Sequence, residues 1–353
     1  FPVENLKSLF LHLKKEKIIK PIDRSSIKNI SRNHKNTPTI DDIYGQEQAK
    51  RAIQIAVAGR HNILLSGPPG SGKTMLAKSL KNLLPALSED EIVEVTKLHS
   101  LGEHTIINNP IVDRPFRSPH HTASRASIIG GGSKVQPGEI SLAHRGVLFL
   151  DELLEYPRTV LESLRQPLED HEITVSRANG KFNFPANFLL VATMNPCPCG
   201  FLGDPEKTCI CSQNQIINYQ KRLSGPLLDR IDLTVSVSRV PHEKLLNNKM
   251  STKSQQETFL SEIYKAHSIQ RDRYKCSYKY NNDIPSSNVD KITSISESAK
   301  TFLTNAAKKL DLSTRSYFKV IKVSRTIADL EGSASIEVPH IAESLQYRQI
   351  SIG

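Results

Sequence analysis

Eight consecutive residues, Gly67-Pro68-Pro69-Gly70-Ser71-Gly72-Lys73-Thr74, fit the phosphate-loop pattern G-x-x-x-x-G-K-[ST]. Glycines let backbone N–H groups turn toward phosphate oxygens, and the start of a following helix adds its positive dipole end. In that chemistry Lys73 reaches the β- and γ-phosphates of a nucleotide, and Thr74 offers a hydroxyl to Mg²⁺. Asp151 and Glu152 end the apolar run Gly146–Leu150. There Asp151 suits the Mg²⁺ shell, and Glu152 suits orienting or deprotonating an attacking water. Asn195 ends a second apolar run, Phe188–Met194, and suits a hydrogen bond to the γ-phosphate or to that water. Together these residues point to nucleoside triphosphate hydrolysis. A ligand-free glycine turn and an ordinary acidic turn are the bland alternatives.

Other chemistry-bearing residues cluster elsewhere. Cys197, Cys199, Cys209 and Cys211 form two close pairs. Four thiolates in such pairs suit tetrahedral Zn²⁺; two thiol pairs, or a redox-sensitive pair, are the alternatives. A four-sulfur site has no open position, so it would brace the loop after Asn195 rather than perform chemistry. Cys276 stands alone and reads as structural. His120 and His121 are adjacent, so on an extended chain they point apart and could hardly share a metal. Residues 172–177 and 182–184 alternate around Ala178-Asn179-Gly180-Lys181, a hairpin signal. Its Arg177 and Lys181 suit phosphate contacts or a solvated turn. Arg315 begins a helix, where a cation opposes the dipole; an anion would explain it, as would plain surface placement.

The elements that must position these residues are legible in the apolar pattern. Residues 62–66 read as a buried parallel strand, and 75–84 as a helix burying Leu76, Leu80, Leu83 and Leu84. A helix from Gln46 buries Ala49, Ala52, Ile53 and Ala56. The loop ahead of it, with Tyr44 and Gly45, suits contact with an adenine; a plain packing helix is the other reading. Residues 91–95 are a second strand candidate. Residues 102–144 read as a long irregular insertion, and 157–168 as a helix. A last strand covers 233–237, and helices cover 257–272, 296–310, 314–331 and 339–347.

The chain of 353 residues is 38% hydrophobic and 24% charged, as in soluble globular proteins. It has no apolar run long enough for a membrane helix. Cysteine usage and the lack of a signal peptide at the start point to a reducing, cytoplasmic setting. The first residue is Phe1, so the expected N-terminus lies further upstream. A formal charge of +11 favours a polyanionic partner such as nucleic acid.

GPPGSGKT, GVLFLDE, PLEDHEITVSRANGKFNFPANFLLVATMNPCPCGFLGDP, SGPLLDRIDL and STRSYFKVIKVSRTIADLEG occur in this order. In these motifs, from about Asp41 to Tyr347, the chain resembles the magnesium-chelatase-like AAA+ proteins of bacteria, specifically the competence protein ComM (YifB) family. The resemblance implies an α/β P-loop NTPase core with a five-stranded parallel sheet in the order 5-1-4-3-2, and a C-terminal all-helical lid. It implies three regions. Residues 1–36 would be the remnant of an N-terminal Lon-like domain and a linker. Residues 37–240 would form the AAA+ core, with an insert at 102–144, a hairpin at 172–186 and a Cys-rich loop at 197–211. Residues 241–353 would form a linker and the lid.

The resemblance also implies a homo-oligomeric, hexameric ring using ATP and Mg²⁺ at subunit junctions. By motif, Lys73 and Thr74 match Walker A, Asp151 and Glu152 match Walker B, and Asn195 matches sensor 1. Arg230 matches the arginine finger, and Arg315 the sensor 2 brought in by lid closure. The implied role is ATP-driven migration of branched or single-stranded DNA in natural transformation. A protein-remodelling or metal-chelatase-type ATPase, or an inactive truncated copy, are the alternatives. The chain departs from the family at Leu153-Leu154-Glu155-Tyr156 and around Tyr280–Pro285.

Overall fold

The computed structural model describes residues 3, 5–20, 37–102, 109–132, 135–177, 180–240, 254–276 and 279–348. Helix α1 (Leu6–Leu13) leaves Leu6, Phe10 and Leu13 exposed. Helix α2 (Glu47–Gly59) is buried along most of its length. It leads into β1 (Ile63–Ser66), the phosphate loop and α3 (Lys73–Ser79). Helix α4 (Glu89–Gly102) and strand β2 (Phe116–Arg117) follow. Then come β3 (Val147–Leu150), the hairpin β4 (Glu172–Arg177) and β5 (Gly180–Pro185), and β6 (Leu189–Met194). Helix α5 (Gln213–Gln220) and β7 (Leu233–Ser236) close the α/β part. The helical C-terminal region contains α6 (Gln255–Tyr274), α7 (Glu297–Lys309), α8 (Thr314–Leu330) and α9 (Val338–Gln346).

Five strands form one parallel sheet in the order β2-β3-β6-β1-β7. Numbering only the sheet strands along the chain, this is 5-1-4-3-2 from the β7 edge. Side chains alternate across a strand, and both faces are covered. Ile63, Leu65, Val147, Phe149, Leu189 and Val191 enter one core with α2, α6 and α8. Leu64, Leu148, Leu150, Leu190 and Ala192 enter the other. The first core runs on into Ile263, Ala266, Val323, Ile327 and Leu330, so the helical region packs directly on the α/β part.

Several expectations are corrected. Residues 91–95 are not a strand but lie within α4. Ser88 and Glu91 exchange capping hydrogen bonds (3.2 and 2.9 Å), and Ile92, Val95 and Leu98 are buried at helical spacing. The second sheet strand is instead Phe116–Arg117. The helix expected over 157–168 is broken, because Pro167 begins a new turn, Pro167–Asp170, after Arg158–Ser163. Residues 109–144 are less irregular than expected. They hold β2, helical turns at Arg125–Ile129 and Glu139–Leu142, and a small pairing of Gly130–Gly131 with Gln136–Pro137. The tip residues Ala178 and Asn179, and the expected linker residues 21–36 and 241–253, lie outside the described residues.

One buried polar cluster joins the sheet to α8. The Asp232 carboxylate accepts from the Asn62 N–H (2.8 Å) and pairs with Lys319 Nζ (3.1 Å). His61 lies 4.0 Å from Asp232 and bonds Thr326 Oγ1 at 2.7 Å. Burial pushes His61 down to about 4, and Lys319 and Lys322 act in the same direction against the pull of Asp232. A base depressed in the fold is protonated more readily in the unfolded chain. Its stabilisation is therefore complete above the ordinary histidine pKa and declines as pH falls from there toward 4. The thermal midpoint is expected to fall between pH 7 and pH 5, with His61 contributing roughly 1–2 kcal/mol of the loss. A His61→Gln variant should show a shallower fall; an unchanged slope would remove His61 from the account.

Candidate functional site

The phosphate loop bridges the C-terminal end of β1 and the start of α3, as its pattern requires. The Gly67 N–H donates to Met194 O (3.2 Å), and the Val237 N–H donates to Ser66 O (2.7 Å), so β6 and β7 bracket the loop. A side chain at Gly67 would strike the Val237 carbonyl. Gly70 (φ +77°) and Gly72 (φ +88°) adopt the left-handed backbone that glycine tolerates, and no atom lies within 4 Å of where their Cβ atoms would sit. Ser71 Oγ is buried without a hydrogen-bond partner. Lys73 Nζ donates to Gly67 O (2.7 Å), Pro68 O (2.8 Å) and Asn195 Oδ1 (3.3 Å). Burial lowers the Lys73 pKa, and Asp151 and Glu152 oppose this.

The ends of β3 and β6 complete the cradle. Thr74 Oγ1 donates to Asp151 Oδ2 at 3.1 Å. Thr193 Oγ1 donates to the other Asp151 oxygen and accepts from the Glu152 N–H (3.0 Å). Glu152 holds a left-handed backbone (φ +52°), costly for a non-glycine residue, and its side chain is half-exposed with His121 Nδ1 at 3.9 Å. The rings of His120 and His121 stack with centroids 4.1 Å apart. The expectation that they point apart fails because the chain turns at His121. Tyr44 is exposed, and Gly45 (φ +61°) lies 3.7 Å, measured from an added Cβ, from Val240, just beyond the strand that brackets the loop. An open glycine cradle, an unpartnered Ser71 hydroxyl, a lysine and a Thr74–Asp151 pair fit a nucleotide phosphate chain with Mg²⁺.

Arg230 and Arg315 are not gathered at the phosphate loop. Both meet Glu169: Arg315 at 3.2 Å, and Arg230 in a close pair. Arg230 also donates to Pro226 O (2.5 Å) and Arg165 O (3.2 Å). These partners, the Arg230 hydrogen bond first, hold Glu169 below the usual carboxylate range. Lys181 is exposed on β5, and Arg177 is the last residue of β4, opposite Gly180.

The four cysteines form one cluster. All four sulfurs lie within 4.8 Å of one another, with Cys197–Cys199 at 3.4 Å and Cys197–Cys209 and Cys199–Cys209 at 3.6 Å. Cys276 is half-buried and lies outside that group.

Sequence reasoning missed Thr193, Glu169, Arg239 and the approach of His121 to Glu152. Thr193 did leave a signal, as a polar residue within the apolar run ending at Asn195. Its hydroxyl serves two groups at once. Thr193→Val would strand an Asp151 oxygen and the Glu152 N–H, at a cost of about 1–3 kcal/mol, while Thr193→Ser should cost less. Urea unfolding decides it: a valine variant as stable as wild type would contradict the bridging role.

Residues 39–245 match the family described as Magnesium chelatase, subunit ChlI, and residues 252–348 match the ChlI C-terminal family. The chain is 47% identical over 317 residues to Competence protein ComM of Haemophilus influenzae, covering 89% of this chain and 60% of that protein. It is 40% identical over 312 residues to Uncharacterized protein YifB of Escherichia coli, covering 88% and 60%. A Magnesium-chelatase 67 kDa subunit from Heliobacterium mobile is 27% identical over 200 residues, 48% of this chain and 29% of that protein. The chain thus spans about 60% of the length of its ComM and YifB relatives. No helix among the described residues is long and apolar enough to cross a membrane. The order of the sheet, the loop at the end of β1 and these matches agree: the chain belongs to the magnesium chelatase ChlI family of AAA+ proteins, alongside the ComM and YifB proteins.

Proposed function

We propose that the chain is an ATP-hydrolysing subunit of a hexameric ring whose subunits complete one another's sites and drive DNA. The observation that carries this reading is the meeting of Arg230 and Arg315 on one carboxylate, Glu169, while Lys73 is held by the loop and Asn195. Two arginines built into one face, apart from the phosphate-binding lysine, suit a face presented to a neighbour's nucleotide. Arg315 then acts together with Arg230 rather than by closing onto its own subunit's site.

Within one subunit, the loop amides and Lys73 bind the phosphate chain, and Thr74 and Asp151 hold Mg²⁺. The metal, when bound, neutralises phosphate charge. Glu152, fixed through its N–H by Thr193, orients the water and accepts its proton, and Asn195 positions that water or the γ-phosphate. Arg230 and Arg315 leave Glu169 for the neighbouring phosphates, where positive charge stabilises the transition state. The exposed hairpin is the DNA-gripping element. Lys181 and Arg177 near its tip, in a chain of charge +11, suit sequence-independent phosphate contacts that weaken with salt. The name of the ComM relative places that protein in competence, which accords with branch migration of incoming DNA.

Complementation tests the shared site. Lys73→Ala and Arg230→Ala proteins should each lose ATPase activity, the finger variant by about 10³–10⁵ in rate. Mixed together, they should regain part of it, because some junctions pair an intact Lys73 with an intact Arg230. Mixed rings without recovery would place both residues in one subunit's site. Forked or three-strand DNA tests the motor. Rings that hydrolyse ATP, ignore single-stranded DNA at low and high salt, and respond to a protein partner instead would favour the chelatase-type reading.

A further inference from the structure

The cysteine cluster is built onto the phosphate loop. It starts two residues after Asn195, whose side chain accepts from Lys73. Gly200, between the two cysteine pairs, has a left-handed backbone (φ +83°), and an added Cβ there would lie 2.6 Å from Pro69 Cδ of the phosphate loop. Arg239 provides a second link. Its Nη2 donates to Pro69 O (3.0 Å), while its guanidinium pairs with the buried Asp204 (3.0 Å) and lies over the Phe201 ring (5.6 Å). Gln220 of α5 holds the base of the loop by donating to Pro196 O (2.9 Å). The Cys197–Cys211 segment therefore touches both sides of the lysine: the loop that carries it, and the asparagine that it bonds.

The sulfur geometry is that of a single-ion site. A disulfide needs about 2.05 Å between sulfurs, well short of the 3.4–3.6 Å contacts here. Four thiolates at about 2.3 Å from a tetrahedral Zn²⁺ stand about 3.8 Å apart along each edge. The Cys199 N–H donates to Cys211 Sγ at 3.4 Å, the kind of donor that supports anionic sulfur. Four ligands leave no coordination position open, so the metal would be structural.

We infer that Cys197, Cys199, Cys209 and Cys211 bind one Zn²⁺, and that the resulting knuckle clamps the phosphate loop to the Asn195 loop and so sets nucleotide affinity. Without the metal, among the described residues only the Arg239 contacts with Pro69 and Asp204 and the Gln220 contact at the loop base hold this segment against the phosphate loop. The clamp rests on the nucleotide site proposed above; the metal does not.

Three measurements test it. Elemental analysis of protein purified anaerobically should give about one zinc per chain, and cobalt exchange should give the visible bands of a tetrahedral thiolate site. Absence of zinc, or iron in its place, overturns the metal assignment. Stripping zinc with a thiol-directed mercurial and a chelator should raise the Kd for a fluorescent ATP analogue by about tenfold or more, and adding zinc back should reverse it. Gly200→Ala keeps all four sulfurs while its Cβ strikes Pro69 and its left-handed backbone is strained, so it loosens the segment at the phosphate loop. It should retain zinc and weaken nucleotide binding, with circular dichroism confirming the fold. Zinc-replete and zinc-stripped proteins with the same Kd, or a Gly200→Ala protein with wild-type affinity, overturn the clamp. If the wild-type protein binds no ATP analogue, the nucleotide reading and the clamp fall together, while the zinc count still decides the metal site.

Discussion

The buried carboxylate of Asp232 is the constraint on which the arrangement of the two arginines depends. It accepts the Asn62 N–H at the start of β1, precedes β7 and pairs with Lys319 of α8. Lys319 also donates to Ile231 O (2.9 Å). Arg230 lies two residues before Asp232, and Arg315 lies one helical turn before Lys319. The two arginines reach Glu169 from separate segments that this buried pair fixes to each other. Removing one partner of such a pair leaves an uncompensated charge, typically costing about 3–5 kcal/mol. Keeping the pair intact keeps these two segments in register with each other.

The phosphate-binding end depends on a different constraint, the common direction of the strands. Because β1, β3 and β6 are parallel, the residues just past their ends emerge at one edge of the sheet. That places Lys73, Asp151 and Asn195 together although they lie far apart in sequence. Thr193 then converts proximity into geometry, linking the Asp151 carboxylate to the Glu152 backbone. Each contact at the site is short-range, but each depends on the register that aligns Leu150 with Ala192 and Ser66 with Met194.

Much of the α/β part was legible in the sequence because its signals are local. The loop pattern, the apolar runs ending at Asp151 and Asn195 and the hairpin alternation lie in contiguous residues, as do the C-terminal helices. The failures were of two kinds. In residues 91–95, three β-branched residues read as a strand, while the Ser88–Glu91 cap and the longer spacing of Ile92, Val95 and Leu98 form a helix. Glu169 and Arg239 gave no local signal at all. Their importance comes from partners across the fold, Arg230 and Arg315 for the first, Pro69 and Asp204 for the second. The stacking of His120 on His121 was likewise invisible, because it needs the turn between them.

The path from the site to the hairpin is short in covalent terms. Strand β5 returns from the hairpin tip, and residues 186–188 join it to β6, whose end at Met194 is followed by Asn195. The Ala186 N–H donates to His171 O (2.8 Å), closing the hairpin base just before the central strand begins. On the other side, Glu169 stands three residues before β4 and carries both arginines. The hairpin is thus flanked by Asn195, which touches Lys73, and by Glu169, which holds Arg230 and Arg315. In the proposed cycle, release of Glu169 by its arginines and a shift at Asn195 would act on opposite strands of one hairpin. Under that proposal, a hairpin held from both sides would sense the difference between two neighbouring nucleotide sites, which a ring would need in order to step in sequence.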